Sequence, residues 1–402
     1  MGLGVILAPI INIFPFGVNI TISDCLFFAA IYILMVKYFV TSSSKKIYCP
    51  IQINIAFGFI FFGYMLASFF VQDVGGFYFG IVQYLFVIVI LPWIMFIVID
   101  SKEKLITIIH YYLFGVFIIN LLNLGLYFEL IAGKKLIGLF RFAGVLENPN
   151  VLAKFQIIAI ASFLVVLLKW KVNIIKKVLI ISNIIISLFL IATTGSFGGV
   201  FFLAISLILM ICLYFLFYRS NRVILFVGLT ISLSVAIMLL QNFNEFKENE
   251  YFPAVLRERV LIAKNISQMG SASDKLAQIV YGYIFFTEHP VIGVGLENYK
   301  YYNKPAIKKY YKPMSAHSFY IAIATEGGIF TVLGFVLFFT IIFFRIIFLD
   351  DRNIKFFFLV IFFTFLLNII IANNIYSRHL WFPLSFIFAN ISTINKEQYL
   401  HD

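Results

Sequence analysis

Charged side chains are scarce in this chain of 402 residues. Aspartate, glutamate, lysine and arginine together make up 12% of it, whereas a soluble domain uses about twice that share to cover its surface. Hydrophobic residues make up 62%, and the mean hydropathy is +1.02. This composition excludes an ordinary soluble domain and predicts an integral membrane protein.

Cysteine and acidic residues are also few. The cysteines are Cys25, Cys49 and Cys212, which fall in two apolar runs and one polar loop, so they predict neither a disulfide nor a metal site. Basic residues exceed acidic ones by 30 to 18, a net charge of +12. Because many of these cations flank apolar runs, the excess predicts contact with anionic lipid or sugar phosphate and excludes nucleic acid as the expected partner.

Long apolar runs fill most of the chain. About twelve of them are long enough to cross a hydrocarbon core of about 30 Å. They lie near residues 2–20, 22–40, 51–71, 77–99, 105–128, 151–168, 178–194, 199–218, 223–240, 317–344, 356–372 and 379–393. The sequence of these runs shows no internal repeat. The sequence therefore predicts an all-α integral membrane protein with a single polytopic membrane domain over residues 1–402.

Basic residues mark one side of the predicted membrane. They fall in every second loop, as at Lys45 and Lys46, Lys102 and Lys104, and Arg345 and Arg352. Since lysine and arginine in short loops stay in the cytoplasm, both termini are predicted to be cytoplasmic. The first apolar run lacks a basic n-region, so it is predicted to be a span and not a cleavable signal. The loops 129–150 and 241–316 then lie together on the far side of the membrane, which in a bacterium is the periplasm or the outer surface.

The periplasmic loop at residues 241–316 has the pattern of a folded lid. Apolar residues recur at helical spacing from Phe252 to Met269, with basic residues on the polar side, which predicts a helix along the membrane surface. Ser273 is predicted to cap a second helix from Asp274 to Glu288. We expect this loop to cover a cavity in the membrane domain.

Two side chains where this loop re-enters the membrane are candidates for chemistry. His317 begins a predicted span, where a solvated imidazole acts as a base near neutral pH; the alternative is an interfacial histidine without a role. At about 1.5 Å per residue, Glu326 lies roughly 14 Å deeper if the helix is continuous, so it is predicted to face a cavity or a partner. Gly327 and Gly328 predict close packing of another helix.

Two arginines lie in the shorter loops of the same predicted face. Arg141 begins the loop segment Arg141–Asn150 that leads into a span, and Arg378 follows Asn373 and Asn374. A planar guanidinium suits the oxygens of a phosphate. For both arginines the alternative is a structural salt bridge, which for Arg141 would be with Glu147.

Three stretches of the chain form a set of motifs. They are Arg141-Phe-Ala-Gly144 with Asn148-Pro149-Asn150, Glu288-His289-Pro290-Val-Ile-Gly293-Val-Gly295, and Ala316-His317-Ser318-Phe-Tyr320 with Glu326-Gly327. Together they resemble the signature stretches of the bacterial O-antigen ligase and O-antigen polymerase superfamily. The resemblance covers most of the chain and implies a GT-C-like membrane glycosyltransferase of the inner membrane. Such an enzyme moves a glycan from undecaprenyl pyrophosphate to an acceptor hydroxyl in lipopolysaccharide biosynthesis, without a metal ion or another cofactor.

The resemblance also implies roles for particular residues. Arg141 would hold the donor pyrophosphate, and His317 would act on the acceptor hydroxyl as a base or an orienting group. The predicted catalytic residues are His317, Arg141 and Glu326, and the predicted substrate-binding residues are Asn150, Arg257, Arg259, Lys275 and Arg378. The chain departs from the family at Phe197, where a cation is expected, and at Lys275, where arginine is usual.

Polymerisation of a surface polysaccharide is the predicted activity, with a separate chain-length regulator as a candidate partner. Transfer of the finished glycan to lipid A-core, as by an O-antigen ligase, is the alternative. A flippase or another transporter of lipid-linked oligosaccharide is an alternative of a different class, although the chain lacks the inverted repeats common in transporters.

Overall fold

The computed structural model describes residues 22–41, 51–131, 136–137, 141–218, 270–303, 316–370 and 378–389. Its α-helices are α1 (Ile22–Thr41), α2 (Ile51–Ala67), α3 (Val74–Tyr84), α4 (Leu91–Val98), α5 (Lys102–Tyr127), α6 (Pro149–Lys169), α7 (Ile174–Thr193), α8 (Phe197–Phe217), α9 (Gly270–Glu288), α10 (Tyr299–Tyr302), α11 (Phe319–Ile347), α12 (Arg352–Asn368) and α13 (Arg378–Ser385). A π-helix at Leu85–Ile90 joins α3 to α4. The strands β1 (Leu136–Ile137) and β2 (Arg141–Phe142) pair antiparallel, with Ile137 opposite Arg141.

Seven helical segments in the described part of the chain are long and apolar enough to cross a membrane. They are Gln52–Phe70, Val74–Val98, Lys102–Tyr127, Pro149–Lys169, Ile174–Thr193, Gly198–Phe217 and Phe319–Ile347. Each coincides with a predicted span. The chain is therefore a multi-pass membrane protein, and its described part is all-α apart from one short strand pair.

The other predicted spans have varied outcomes. The run at 22–40 forms helix α1, while α12 and α13 are shorter helices at the positions of the last two runs. The runs at 2–20 and 223–240, and the surface helix at 252–269, lie outside the described residues. A total of twelve spans stays a prediction.

Helix α9 corrects one detail of the predicted loop. It ends at Glu288, as predicted, but it begins at Gly270. Ser273 therefore lies within the helix and is not its N-cap. The small residues before Asp274 carry no side chain that prevents helical dihedral angles, so the helix extends through them.

The chain groups into two compact units that alternate along the sequence. Unit one comprises Met1–Val40, Ile106–Gln268 and Asp350–Leu367, and unit two comprises Thr41–Leu105, Met269–Leu349 and Asn368–Asp402. The assignment of a single membrane domain stays a prediction.

A buried polar network joins three helices in unit one. Asn120 of α5 donates from Nδ2 to Oδ1 of Asn183 in α7 across 3.1 Å. Gln156 of α6 donates from Nε2 to Oδ1 of Asn120 across 2.9 Å. All three side chains are buried, and each such bond between membrane helices contributes on the order of 0.6 kcal/mol. Helix α6 is the most buried of the membrane-spanning helices in the described part of the chain, since 83% of its most apolar stretch of 18 residues is buried.

Small residues bring α2 and α11 together in unit two. A Cβ built on Gly63 would lie 2.2 Å from Oγ1 of Thr331, and one built on Gly334 would lie 2.6 Å from the backbone nitrogen of Ile60. The carbonyl oxygen of Gly327 lies 2.6 Å from the same built Cβ of Gly63. Only glycine leaves room for this approach, so the predicted close packing at Gly327 is confirmed.

Candidate active site

Arg141 is the centre of a polar cluster in unit one. Its Nε donates to the carbonyl oxygen of Thr194 across 2.9 Å, and its Nη2 donates to Oδ1 of Asn150 across 2.8 Å. The acceptors belong to two different elements, the turn after α7 and the first turn of α6. Together they fix the plane of the guanidinium, which is the condition for specific binding of a phosphate.

The motif Asn148-Pro149-Asn150 starts helix α6. The side chain of Asn148 accepts hydrogen bonds from the backbone N–H groups of Asn150 and Val151, at 2.9 and 3.4 Å. Pro149 occupies the first helical position, where no N–H is needed. Asparagine is among the best N-cap residues because it satisfies these donors. The cap thereby sets the position of Asn150 next to Arg141.

The turn from Thr194 to Gly199 completes this cluster. Gly195 has a φ of +56°, which glycine adopts without strain. The hydroxyl of Ser196 accepts from the N–H of Gly199 at 3.1 Å and donates to Oδ1 of Asn150 across 3.0 Å. From the sequence, only the replacement of an expected cation by Phe197 is evident at this turn. Its contact with Arg141 could not be predicted, because the backbone carbonyl of Thr194 leaves no signal in a sequence.

His317 lies in unit two, immediately before helix α11. Its φ is +51°, a left-handed conformation that is uncommon for a residue other than glycine. Backbone strain of this kind costs on the order of 1–3 kcal/mol and clusters at functional sites. The side chain is half-buried. Its backbone therefore favours the functional interpretation over that of an incidental interfacial histidine.

Helix α11 is broken at Gly328, where φ is +67° and ψ is −168°. The segment from Pro290 to Gly295 lies along the break. Three backbone bonds join them, from Val294 N to Thr325 O at 3.1 Å, from Gly295 N to Glu326 O at 2.9 Å, and from Ile329 N to Pro290 O at 2.9 Å. Backbone groups released by the break are thus satisfied by protein, as a membrane interior requires.

Gly293 lies at the closest point of this contact. A Cβ on this residue would lie 2.2 Å from the carbonyl carbon of Glu326 and 2.5 Å from the nitrogen of Gly327. The glycines of the Gly293-Val-Gly295 motif therefore serve close approach between two backbones. A phosphate-binding loop does not explain them.

Glu326 lies at the broken turn and is only 5% exposed. The backbone N–H groups of Glu297 and Tyr299 approach its carboxylate. Its Oε2 atom and the hydroxyl of Tyr299 are buried without a hydrogen-bond partner in the described part of the chain. Burial, followed by the charge of Glu326, raises the pKa of Tyr299. The sequence predicts that Glu326 faces a cavity or a partner. In the structure its carboxylate faces the backbone of the re-entering loop.

The next part of the loop is fixed to the turn between α2 and α3. Oδ1 of Asn298 accepts from the N–H groups of Gln72 and Asp73, at 2.9 and 2.7 Å. The hydroxyl of Tyr301 donates to Oδ2 of Asp73 across 3.2 Å. A bond from the N–H of Gly76, and then this tyrosine, lower the pKa of Asp73. No motif in the sequence indicates this contact.

A cavity of about 340 Å³ opens beside the same loop. Its walls include Phe70, Phe285, His289, Ile292 and Tyr302. Most of these groups are apolar or aromatic, so the cavity suits an apolar group more than an ion. His289 and Gly293, both motif residues, thus lie in the wall of this cavity.

The remaining predicted site residues are placed only in part. Lys275 lies in helix α9 and Arg378 begins helix α13, but their side chains are outside the described ones. Arg257 and Arg259 are outside the described residues altogether. In the ranges that the structure describes, no three His, Cys, Asp or Glu side chains are grouped so as to hold a metal ion.

Comparison with known proteins gives one family match. Residues 182–336, less than half of the chain, match the family model Wzy_C, described as O-antigen ligase. The matched part includes the segment at Gly293, the histidine at 317 and the broken turn at Glu326, but not Arg141. No curated protein matches the chain. The family match confirms the resemblance to the O-antigen polymerase and ligase superfamily that the motifs indicated.

Proposed function

We propose that this protein is a surface-polysaccharide polymerase. It transfers a growing glycan from undecaprenyl pyrophosphate to the non-reducing end of a lipid-linked repeat unit. The family match supports glycan transfer of the O-antigen polymerase or ligase type in general, and the membrane helices suit a lipid-linked donor. The observation that carries the proposal is the fixed guanidinium of Arg141.

Arg141 is the proposed binding group for the donor pyrophosphate. When the bond between the sugar and the pyrophosphate breaks, the leaving group gains negative charge. A cation already fixed in place stabilises that charge without having to reorganise, which is the main source of electrostatic catalysis. The hydrogen bonds to Thr194 and Asn150 provide this fixed position.

His317 is the proposed base or orienting group for the acceptor. A sugar hydroxyl is a weak nucleophile, and a positioned imidazole that takes its proton contributes about 10²–10⁴-fold to a rate. For Glu326 we propose a positioning role, because backbone N–H groups of the re-entering loop approach its carboxylate. The catalytic role that the sequence predicts for Glu326 is the alternative.

The proposed location is the bacterial inner membrane. The distribution of basic residues supports cytoplasmic termini and a periplasmic position for the loops that contain Arg141 and His317. Lipid-linked repeat units and membrane lipid would be the partners there, together with a separate chain-length regulator.

An O-antigen ligase is the second candidate function. The description of the matched family favours it, and the acceptor would then be lipid A-core. The pyrophosphate donor and the roles of Arg141 and His317 would be unchanged. The two functions differ only in the molecule that offers the hydroxyl.

Purified protein in detergent tests these proposals. It is incubated with an undecaprenyl-pyrophosphate-linked repeat unit, with and without lipid A-core, and the glycans are separated on a gel. A ladder of repeat multiples without lipid A-core supports the polymerase. Product that forms only with lipid A-core supports the ligase, and no product from an authentic repeat unit overturns both and favours a transporter. The His317→Ala variant is the inactive control.

A further inference from the structure

Lys154 is a buried cation within an apolar membrane helix. It lies in the second turn of α6, and 8% of the residue is exposed. A charged side chain inside a membrane segment is costly, and such residues mark substrate sites and pairing sites far more often than lipid-facing positions. Neither the family motifs nor the roles assigned above account for this lysine.

The face of α6 that contains Lys154 is also the face of the Arg141 cluster. Residues four apart in a helix are neighbours on one face, so Lys154 lies one turn below Asn150. Ala153, three residues after Asn150, lies against the turn that binds Arg141, since a Cβ built on Gly199 would be 2.7 Å from its Cβ. Asn150 therefore has Ala153 and Lys154 as its two neighbours in the next turn. The lysine stem extends over several ångströms, so its ammonium can reach toward the polar end of the helix.

We propose that Lys154 is a second cation for the donor pyrophosphate, acting together with Arg141. The inference rests on the proposed function. A pyrophosphate esterified at both ends carries two negative charges, and one guanidinium neutralises only one of them. In the transfer, the bond from the anomeric carbon to the pyrophosphate oxygen breaks and its electron pair stays on that oxygen. The acceptor oxygen bonds to the same carbon and its proton goes to the base, so the leaving group ends with a third negative charge.

The two cations would divide this work by their chemistry. Arginine presents a planar fork, which is held here by Asn150 and Thr194 and sets the orientation of the phosphate. Lysine is a compact point charge on a flexible stem, and it binds phosphate without demanding one geometry. Lys154 would therefore contribute mainly to donor affinity and to stabilising the leaving group.

Kinetics of the purified full-length protein test the inference. Lys154→Met keeps the length of the side chain and removes its charge, and Lys154→Arg keeps the charge. We expect Lys154→Met to raise the KM for the lipid-linked donor, and the inhibition constant of inorganic pyrophosphate, by about tenfold or more. The KM for the acceptor should stay unchanged, and Lys154→Arg should recover most of the loss. Lys177→Met, at an exposed position of α7, is the matched control and should behave as wild type.

The outcomes separate this inference from the proposed function. If the wild-type protein transfers glycan and Lys154→Met has wild-type constants for donor and pyrophosphate, the role of Lys154 is overturned alone. The role is also overturned if Lys154→Met has a lower melting temperature and an equally raised KM for donor and acceptor, and if Lys154→Arg does not recover them. If the wild-type protein transfers no glycan at all, the proposed function fails first.

Discussion

The guanidinium of Arg141 donates to the side-chain oxygen of Asn150 across 2.8 Å, joining a two-residue strand to the first turn of a membrane helix. The same oxygen accepts from Ser196, so a single asparagine connects three separate parts of the chain. A change at Asn150 therefore acts on the arginine even though the charge is untouched.

The first prediction concerns the geometry of Arg141. Arg141→Ala should raise the donor KM by about 10- to 100-fold, because a charged hydrogen-bonding group is lost. Arg141→Lys should lose less, since it keeps the charge but cannot reach both Thr194 and Asn150. Steady-state kinetics with varied donor measures this. The control is Lys177→Ala, which changes an exposed lysine of α7. If Arg141→Ala has the same donor KM as the wild-type protein, Arg141 does not belong to the site.

The second prediction separates the imidazole of His317 from its backbone. His317→Ala and His317→Gly should both lower kcat by about 10²–10⁴-fold, since neither has a proton acceptor. The glycine variant should melt at a higher temperature than the alanine variant, because its φ of +51° is unstrained only for glycine. His110→Ala in α5 is the control for loss of a histidine. Full-length polymer from either His317 variant at normal protein levels would contradict the assigned role.

The third prediction tests the contact between the loop and the broken helix. Gly293→Ala should lower the melting temperature and the activity, because its Cβ would overlap the backbone of Glu326 and Gly327. Gly58→Ala in α2 is the same substitution at a position where the added Cβ would meet no atom within 4 Å. It should be neutral or slightly stabilising. Thermal unfolding in detergent measures both. Equal melting temperatures for the two variants would show that the close approach is dispensable.

The fourth prediction concerns the carboxylate of Glu326. Glu326→Gln keeps an oxygen that accepts from the loop, so it should keep most of the stability and activity. Glu326→Ala leaves the N–H groups of Glu297 and Tyr299 without this acceptor, at a cost of about 1–3 kcal/mol for each group left unsatisfied. Melting temperature and kcat are measured together. A glutamine variant that melts like wild type but is inactive would instead make Glu326 catalytic.

The fifth prediction is a pH dependence at Asp73. Its folded pKa is lowered, so the carboxylate stabilises the fold above its unfolded pKa of about 3.9. That stability is lost as the pH falls through the folded pKa. Asp73→Asn should therefore melt below wild type at pH 7, and the two should converge as the pH drops below about 4. A difference that stays constant with pH would show that the charge is not involved.

The sequence predicted the parts of this protein that follow from local composition. Seven spans and the end of α9 at Glu288 were correct because hydrophobic length and helix stop signals act over short distances. The pairing of Asn150 with Arg141 agrees with their placement in one motif. Ser273 was assigned wrongly as a cap because small polar residues are compatible with both a cap and a helical turn.

Contacts between distant residues could not be predicted in this way. Asn298 binds the backbone at Gln72 and Asp73, and hydropathy alone does not reveal such a pair. The break at Gly328 depends on the loop that fills it, so the glycine pair predicted packing but not the break. Lys154 is visible in the sequence as a lone cation inside a run of apolar residues. The structure adds that this cation is buried and does not face lipid or water.

The interrupted turn of α11 affects how this region can be exchanged between proteins. Residues 290–295 donate backbone hydrogen bonds to residues 325–329 and accept one from them. The loop segment and the broken helix therefore satisfy each other's backbone groups. A chimera that takes its outer loop from a relative should therefore cross over outside both segments. Crossing between them would combine a broken helix with a loop segment whose backbone does not match the break.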